Sequence, residues 1–204
     1  MHKDHLSISA HQNSEMLVIQ FKPAGAFPFF HLPVNQLNDK VILGEKIFGN
    51  EILQLRQQIL EQKNSTEKFK AAENWLRKRM DDKGIPNQEL LKIVGLLKDK
   101  PFSDHTEIVQ LYSKTQKHLI GQFKKYIGLT PKVLHRILRF NEILQKIHLK
   151  EQLDWSQIAY QFGYADQSHF IKEFREFSGF SPQQFIKFEH QKEQTNFFPL
   201  DRQG

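Results

Sequence analysis

Apolar positions along the chain follow three different rhythms. Between residues 5 and 34 they alternate: "HLSISA" and "EMLVIQFKP" have the period-two pattern and β-branched content of strands, and "KPAGAFPFFHLP" after them is punctuated by Gly and Pro. That stretch predicts a small β-hairpin, which at this size must pack on something else. From residue 44 to 83 the period lengthens to that of a helix. "GEKIFGNEILQLRQQILEQ" puts Ile47, Ile52, Leu55, Ile59 and Leu60 on one face. "NSTEKFKAAENWLRKRM" does the same for Phe69, Ala72, Trp75 and Leu76, behind a Ser65/Thr66 cap signal. Core packing explains both stripes without a cofactor. "DDKGIPN", residues 81–87, is the best linker candidate. Helix then follows helix, over roughly 87–98, 104–113, 115–127, 131–148, 154–162, 166–178 and 182–190. The tail 191–204 has no periodicity and is expected to fray, with Phe197 and Phe198 as candidate docking residues.

Among these helices a single pattern occurs twice. "FKKYIGLTP", residues 123–131, and "FREFSGFSP", residues 174–182, share one template: Phe, a base, any residue, an aromatic, any residue, Gly, a hydrophobe, Thr or Ser, Pro. Upstream the match continues, with Thr115 against Asp166, Gln116 against Gln167, His118 against His169 and Ile120 against Ile171. Each copy thus holds a short helix, a turn, a capped second helix and a closing turn. Gly128 and Gly179 suit the left-handed residue that ends a helix. Thr130 and Ser181 then suit the next N-cap, with Pro131 and Pro182 at the first helical position.

A short helix, a turn and a second helix form the helix-turn-helix unit, whose second helix enters the DNA major groove. "WSQIAYQFGYADQSHFIKEF" fits it well. Ile158, Ala159, Phe162, Phe170 and Phe174 supply the apolar contacts, Gly163 the turn, and Gln167, Ser168 and Lys172 an outward polar face. Charge supports this direction. The chain carries a net charge of +6. From Ile108 to Asn141 there are seven bases (Lys114, Lys117, Lys124, Lys125, Lys132, Arg136, Arg139) and no acid, a distribution that suits a polyanion.

On these motifs, residues 88–188 resemble the double helix-turn-helix DNA-binding domain of the AraC/XylS transcription regulators. "WSQIAYQFGYADQSHFIKEFREFSGFSP" is similar to that family's second motif, and "LIGQFKKYIGLTPKVLHRILRF" to its first motif and connecting helix. The resemblance implies a mainly α fold. Two helix-turn-helix subdomains would be joined by a long linker helix, preceded by a β-hairpin remnant and a helical pair. The expected organisation is a partial sensor- or dimerisation-like domain at 1–83, the DNA-binding domain at 88–190 and a tail at 191–204. A linker of about 18 residues would span roughly 27 Å, so two reading helices about one DNA turn apart would face one side of the duplex.

The family's base-facing positions carry over to Gln116, Lys117, His118, Ile120 and Gly121 in the first unit, and to Gln167, Ser168, His169, Ile171 and Lys172 in the second. Gly121 departs from the family, which often has Arg there, so a bidentate guanine contact is missing. The expected phosphate contacts are Thr115, Lys124, Lys125, Thr130, Lys132, Arg136, Arg139, Arg175 and Ser181. Simpler roles compete at several positions. Gln167 and Ser168 also suit a helix N-terminus, Asp166 suits a cap better than a base reader, and His118 and His169 also suit packing against neighbours.

"FKPAGAFPFFHLPVNQLND" followed by "LRQQILEQ" is similar to the end of a sensor-type domain that precedes this reader in one AraC subgroup. A longer β-rich portion precedes it there, so the chain is expected to be a truncated member or to use the remnant for packing, and no effector is assigned. The expected partner is double-stranded DNA, and the resemblance allows contact with RNA polymerase and a homodimer through the N-terminal region.

Other functions fare worse. No apolar run approaches the roughly 18 residues of a membrane span, and the N-terminus lacks an apolar signal core. A cytoplasmic protein is expected. Cysteine is absent, which removes thiolate chemistry and the methyl-acceptor activity that some relatives carry. The ten histidines show no metal-site spacing, and there is no phosphate-binding Gly-rich loop or nucleophile elbow. No enzyme, metal or cofactor is expected. The competing reading is a basic helical module that binds an acidic protein partner, with DNA reading degraded or lost.

Overall fold

The structure, a computed structural model, describes residues 15–147 and 153–191, with side chains as far as 187. Those residues form eleven α-helices, two short 3-10 turns and no strand. The predicted hairpin is therefore corrected where it can be seen. Residues 15–22 form neither strand nor helix, while "HLSISA" lies outside the described residues. Met16 and Val18 are 59% and 57% exposed, so the alternation in the sequence answers to no buried face.

The N-terminal helices are α1 (Phe27–Phe30), α2 (Gly44–Phe48), α3 (Glu51–Glu61) and α4 (Ser65–Arg79). A run of ring contacts joins them: Phe21 to Phe29 and Phe30, Phe30 to Phe48, and Phe48 edge-on to Trp75. Arg79 closes it, lying over the Phe48 ring while its Nε donates to the Phe29 carbonyl. Helices α3 and α4 form the expected pair, with Leu55 and Ala72 buried. Leu60 and Phe69, placed on the core face by periodicity, are instead 62% and 55% exposed. The cap of α4 is also one residue earlier than expected: the Asn64 side chain accepts from the Glu67 amide. Within residues 81–87, the linker candidate, a short turn packs on α1. Asp81 N–H donates to the Pro28 carbonyl, and a Cβ on Gly84 would come within 2.9 Å of Pro28 Cα.

The remaining helices are α5 (Gln88–Asp99), α6 (His105–Val109), α7 (Gln116–Tyr126), α8 (Pro131–Ile147), α9 (Trp155–Gln161), α10 (Gln167–Ser178) and α11 (Pro182–Gln191). They surround two separate apolar clusters. The first gathers Leu90, Ile93 and Leu97 of α5, Ile108 of α6, Leu119 and Phe123 of α7, and Leu134 and Leu138 of α8. Ala24 joins this cluster from the N-terminal segment. The second gathers Phe140, Ile143 and Ile147 of α8, Ile158 and Ala159 of α9, Phe170 and Phe174 of α10, and Phe185 and Ile186 of α11. Each buried large side chain removes about 1.5–3 kcal/mol worth of apolar surface from water.

Helix α8 is shared: its N-terminal half feeds the first cluster and its C-terminal half the second. The loop between α5 and α6 touches the second unit directly. Phe102 meets Phe162 at 4.9 Å between ring centroids, and the buried His135 donates from Nε2 to the Lys100 carbonyl at 3.0 Å. Burial lowers the pKa of His135 and outweighs the hydrogen bond to the Lys100 carbonyl, which by itself favours the protonated ring. Helix α6 ends at Val109, short of its predicted 104–113 span, and Glu89 Oε1 accepts the Ser113 amide at 2.6 Å in the turn that follows.

Both repeated helix endings adopt the expected conformation, with Gly128 at φ 92° and Gly179 at φ 78°. At Gly128 there is a second constraint. A Cβ there would lie 2.7 Å from Asn38 Oδ1 and 3.2 Å from Val34 Cγ1, because the 3-10 turn Val34–Leu37 packs on the end of α7. Gly128→Ala is therefore expected to destabilise the chain by about 1–3 kcal/mol. Gly95→Ala, inside α5 with open space at its Cβ, should stabilise it by up to about 1 kcal/mol. Denaturant unfolding of both variants checks the opposite signs.

Candidate nucleic-acid interface

Each second helix begins at a side-chain cap that leaves its first turn open to solvent. Thr115 Oγ1 accepts from the His118 amide at 3.3 Å, and Asp166 Oδ1 from the His169 amide at 2.7 Å. The helices that follow the two closing turns are capped as expected, with Val133 N–H donating to Thr130 and Gln184 N–H to Ser181. Gln184 reaches back to the Ser181 amide, completing a reciprocal cap.

The apolar stripe of each second helix faces its own cluster: Leu119 and Phe123 are fully buried on α7, as are Phe170 and Phe174 on α10. That leaves Gln116, Lys117 and Gly121 exposed on α7, with His118 and Ile120 half-buried. On α10, Gln167, Ser168, His169 and Lys172 are exposed and Ile171 half-buried. His118 has a partner within the chain, since its Nδ1 lies 2.9 Å from the Tyr112 hydroxyl. His169 sits edge-on to the Tyr164 ring. A Cβ on Gly121 would meet nothing within 4 Å, so this position presents bare backbone and open space.

The basic residues divide in two. Lys117, Lys124, Lys132 and Arg175 are exposed, as is Lys125, whose Nζ lies over the Phe27 and Tyr126 rings. Arg136 and Arg139 are half-buried and ion-paired within the chain. Arg136 Nε donates to Glu173 Oε2 at 2.7 Å, and its two terminal nitrogens donate to the Glu176 carboxylate at 3.0 and 2.6 Å. Arg139 Nη2 donates to Glu173 Oε1 at 2.6 Å, and the same oxygen accepts from the Tyr164 hydroxyl at 2.7 Å. The guanidinium of Arg139 also lies 4.3 Å from the Tyr164 ring centroid.

Sequence pattern did not single out Glu173, Glu176 or Tyr164. One signal was available: Glu173 falls in the buried stripe of α10 between Phe170 and Phe174, where an acid needs a cation from the facing helix.

Residues 109–187 match a family model described as a helix-turn-helix domain. The match spans less than half of the chain, from the end of α6 to α11. It supports DNA binding and transcription regulation of the AraC type, and the family is a DNA-binding one rather than an enzyme family. No curated protein and no solved structure matched the chain. No helix among the described residues is long and apolar enough to cross a membrane.

Burial alone would raise the Glu173 pKa, but the hydrogen bonds from Arg136, Tyr164 and Arg139 outweigh it and hold the carboxyl below its ordinary range. A depressed acid contributes stability above its unfolded value and loses it as pH falls through the folded one. The excess in Tm of the parent chain over Glu173→Gln should therefore be steady above about pH 5. It should shrink as pH falls below about 4. Thermal melts of both proteins between pH 3 and 7 give the comparison.

Proposed function

We propose that this chain is a sequence-specific transcription regulator that reads two adjacent major-groove segments, one with α7 and one with α10. What carries the reading is the repeated, capped second helix. In both copies the apolar stripe is buried and the polar residues at the same register stay exposed, within a segment that matches a helix-turn-helix family. Helix α8, with 17 residues, spans about 25 Å and joins the two units at a separation suited to one face of a duplex.

The two reading helices take different shares. On α10, Gln167 and Ser168 contact base edges and Lys172 contacts guanine, beside His169 and Ile171. On α7, Lys117 is the best base contact, with Gln116 beside it. His118 is held by Tyr112, Ile120 offers only apolar contact, and Gly121 offers no side chain. The first unit therefore grips mainly through phosphates, from Thr115, Lys124, Lys125, Thr130 and Lys132, with Arg175 and Ser181 doing so in the second. The N-terminal helices pack on the reader through Phe27, which meets the Tyr126 ring at 4.7 Å. They provide the surface for any homodimer, and RNA polymerase contact would be made by the DNA-bound chain.

The test is selection of bound sequences from a random duplex pool at about 150 mM salt, close to physiological ionic strength. An enriched motif is expected, and no enrichment would overturn the reading. Lys172→Ala should lose about 1–3 kcal/mol of specific binding and relax preference at one base pair. Lys124→Ala should weaken binding to every sequence and lower the salt slope by about one. An unchanged profile for Lys172→Ala would remove that residue from the base-reading set.

A further inference from the structure

The cluster around Glu173 joins two elements whose relative placement matters for a double reader. We propose that Glu173 is a positioning residue: it fixes α10 to α8 and so sets the separation of the two DNA segments. This rests on the double-reader function for its consequence, though not for its geometry.

Arg136 and Arg139 stand three residues apart on α8, and Glu173 and Glu176 stand three apart on α10. Such positions share one helix face, so two cations meet two acids at matched pitch. Every oxygen of the two carboxylates accepts a hydrogen bond within this group. Glu173 is the shared member, 3% exposed and bound by both arginines and by Tyr164. Arg136 is fixed on its other side by the Phe177 ring at 5.0 Å.

The apolar contacts between the same helices, Phe140 with Phe174 and Phe177, are non-directional and accept several registers. The ion cluster accepts one. Sliding α10 by a turn would break the shared pairing at Glu173 and leave part of the set without partners, the costly alternative for charges out of water. Because α8 is also built into the first cluster through Leu134 and Leu138, whatever fixes α10 to α8 fixes the second reading helix relative to the first. Tyr164 extends the lock to the turn between α9 and α10.

The absence of cysteine makes this directly measurable. Lys117→Cys and Lys172→Cys, both at exposed sites, carry spin labels on the two reading helices, and pulsed dipolar spectroscopy reads the distance between them. In the otherwise unchanged chain a single narrow distribution is expected. Adding Glu173→Gln, which keeps the side-chain shape but removes the charge, should broaden it or add a population displaced by about one helical turn, roughly 5 Å. The helical circular dichroism should be unchanged. An equally narrow distribution in the folded variant overturns the proposal.

If Glu173→Gln loses helical signal, Tyr164→Phe is read in its place. It removes one hydrogen bond from Glu173 and should broaden the distribution; an unchanged width would again overturn the proposal. A second arm uses duplexes selected by the parent chain, with one base pair added between the two blocks. The parent should lose about ten-fold in affinity, comparable to one mismatched position, and Glu173→Gln should lose little. Failure to select two blocks would count against the double reader alone, because the label distances decide the role of Glu173 without DNA.

Discussion

Helix α8 is amphipathic along its whole length, but its two halves answer to different cores. Leu134 and Leu138 complete the cluster built by α5, α6 and α7, while Phe140, Ile143 and Ile147 complete the one built by α9, α10 and α11. A helix buried at both ends cannot turn about its axis without exposing one set or the other. Each unit is therefore held at a defined azimuth around a common rod. Phe102 against Phe162 and His135 against the Lys100 carbonyl brace the junction from the side. Two small three-helix groupings are thereby joined through one shared helix.

The polar half of the molecule follows from that arrangement. Once the apolar stripes of α7 and α10 are buried, their remaining faces have to hold what does not belong in a core. On α7 this is Gln116 and the lysines, and on α10 Gln167, Ser168 and Lys172. The charges that α8 could not avoid were handled differently. Arg136 and Arg139 sit where α10 packs, and Glu173 and Glu176 neutralise them in place. An acid-free basic stretch in the sequence thus contains two populations: lysines open to a polyanion, and arginines already matched by acids some 34 to 40 residues further on.

Most of the helical framework was legible because its signals are local. Caps at Thr115 and Asp166, prolines opening α8 and α11, and glycines at positive φ are each decided within a few residues. The long-range facts were not legible. Nothing near Arg136 announces Glu173, and nothing near Gly128 announces Asn38, whose Nδ2 donates to the Gly128 carbonyl. Alternation over 15–22 imitated a strand, yet a strand needs a partner and a buried face, and local pattern supplies neither. Leu60 and Phe69 followed the helical period but fall outside the contact between α3 and α4.

In the proposed function, two helices of one chain enter the major groove of one duplex. Methylation interference on a selected duplex addresses it most directly, because guanine N7 faces the major groove and its methylation blocks contacts made there. Two groups of interfering guanines are expected, about 10 base pairs apart on one face of the duplex. The group read by α10 should be the stronger. A single group, or interference spread evenly along the site, would contradict it.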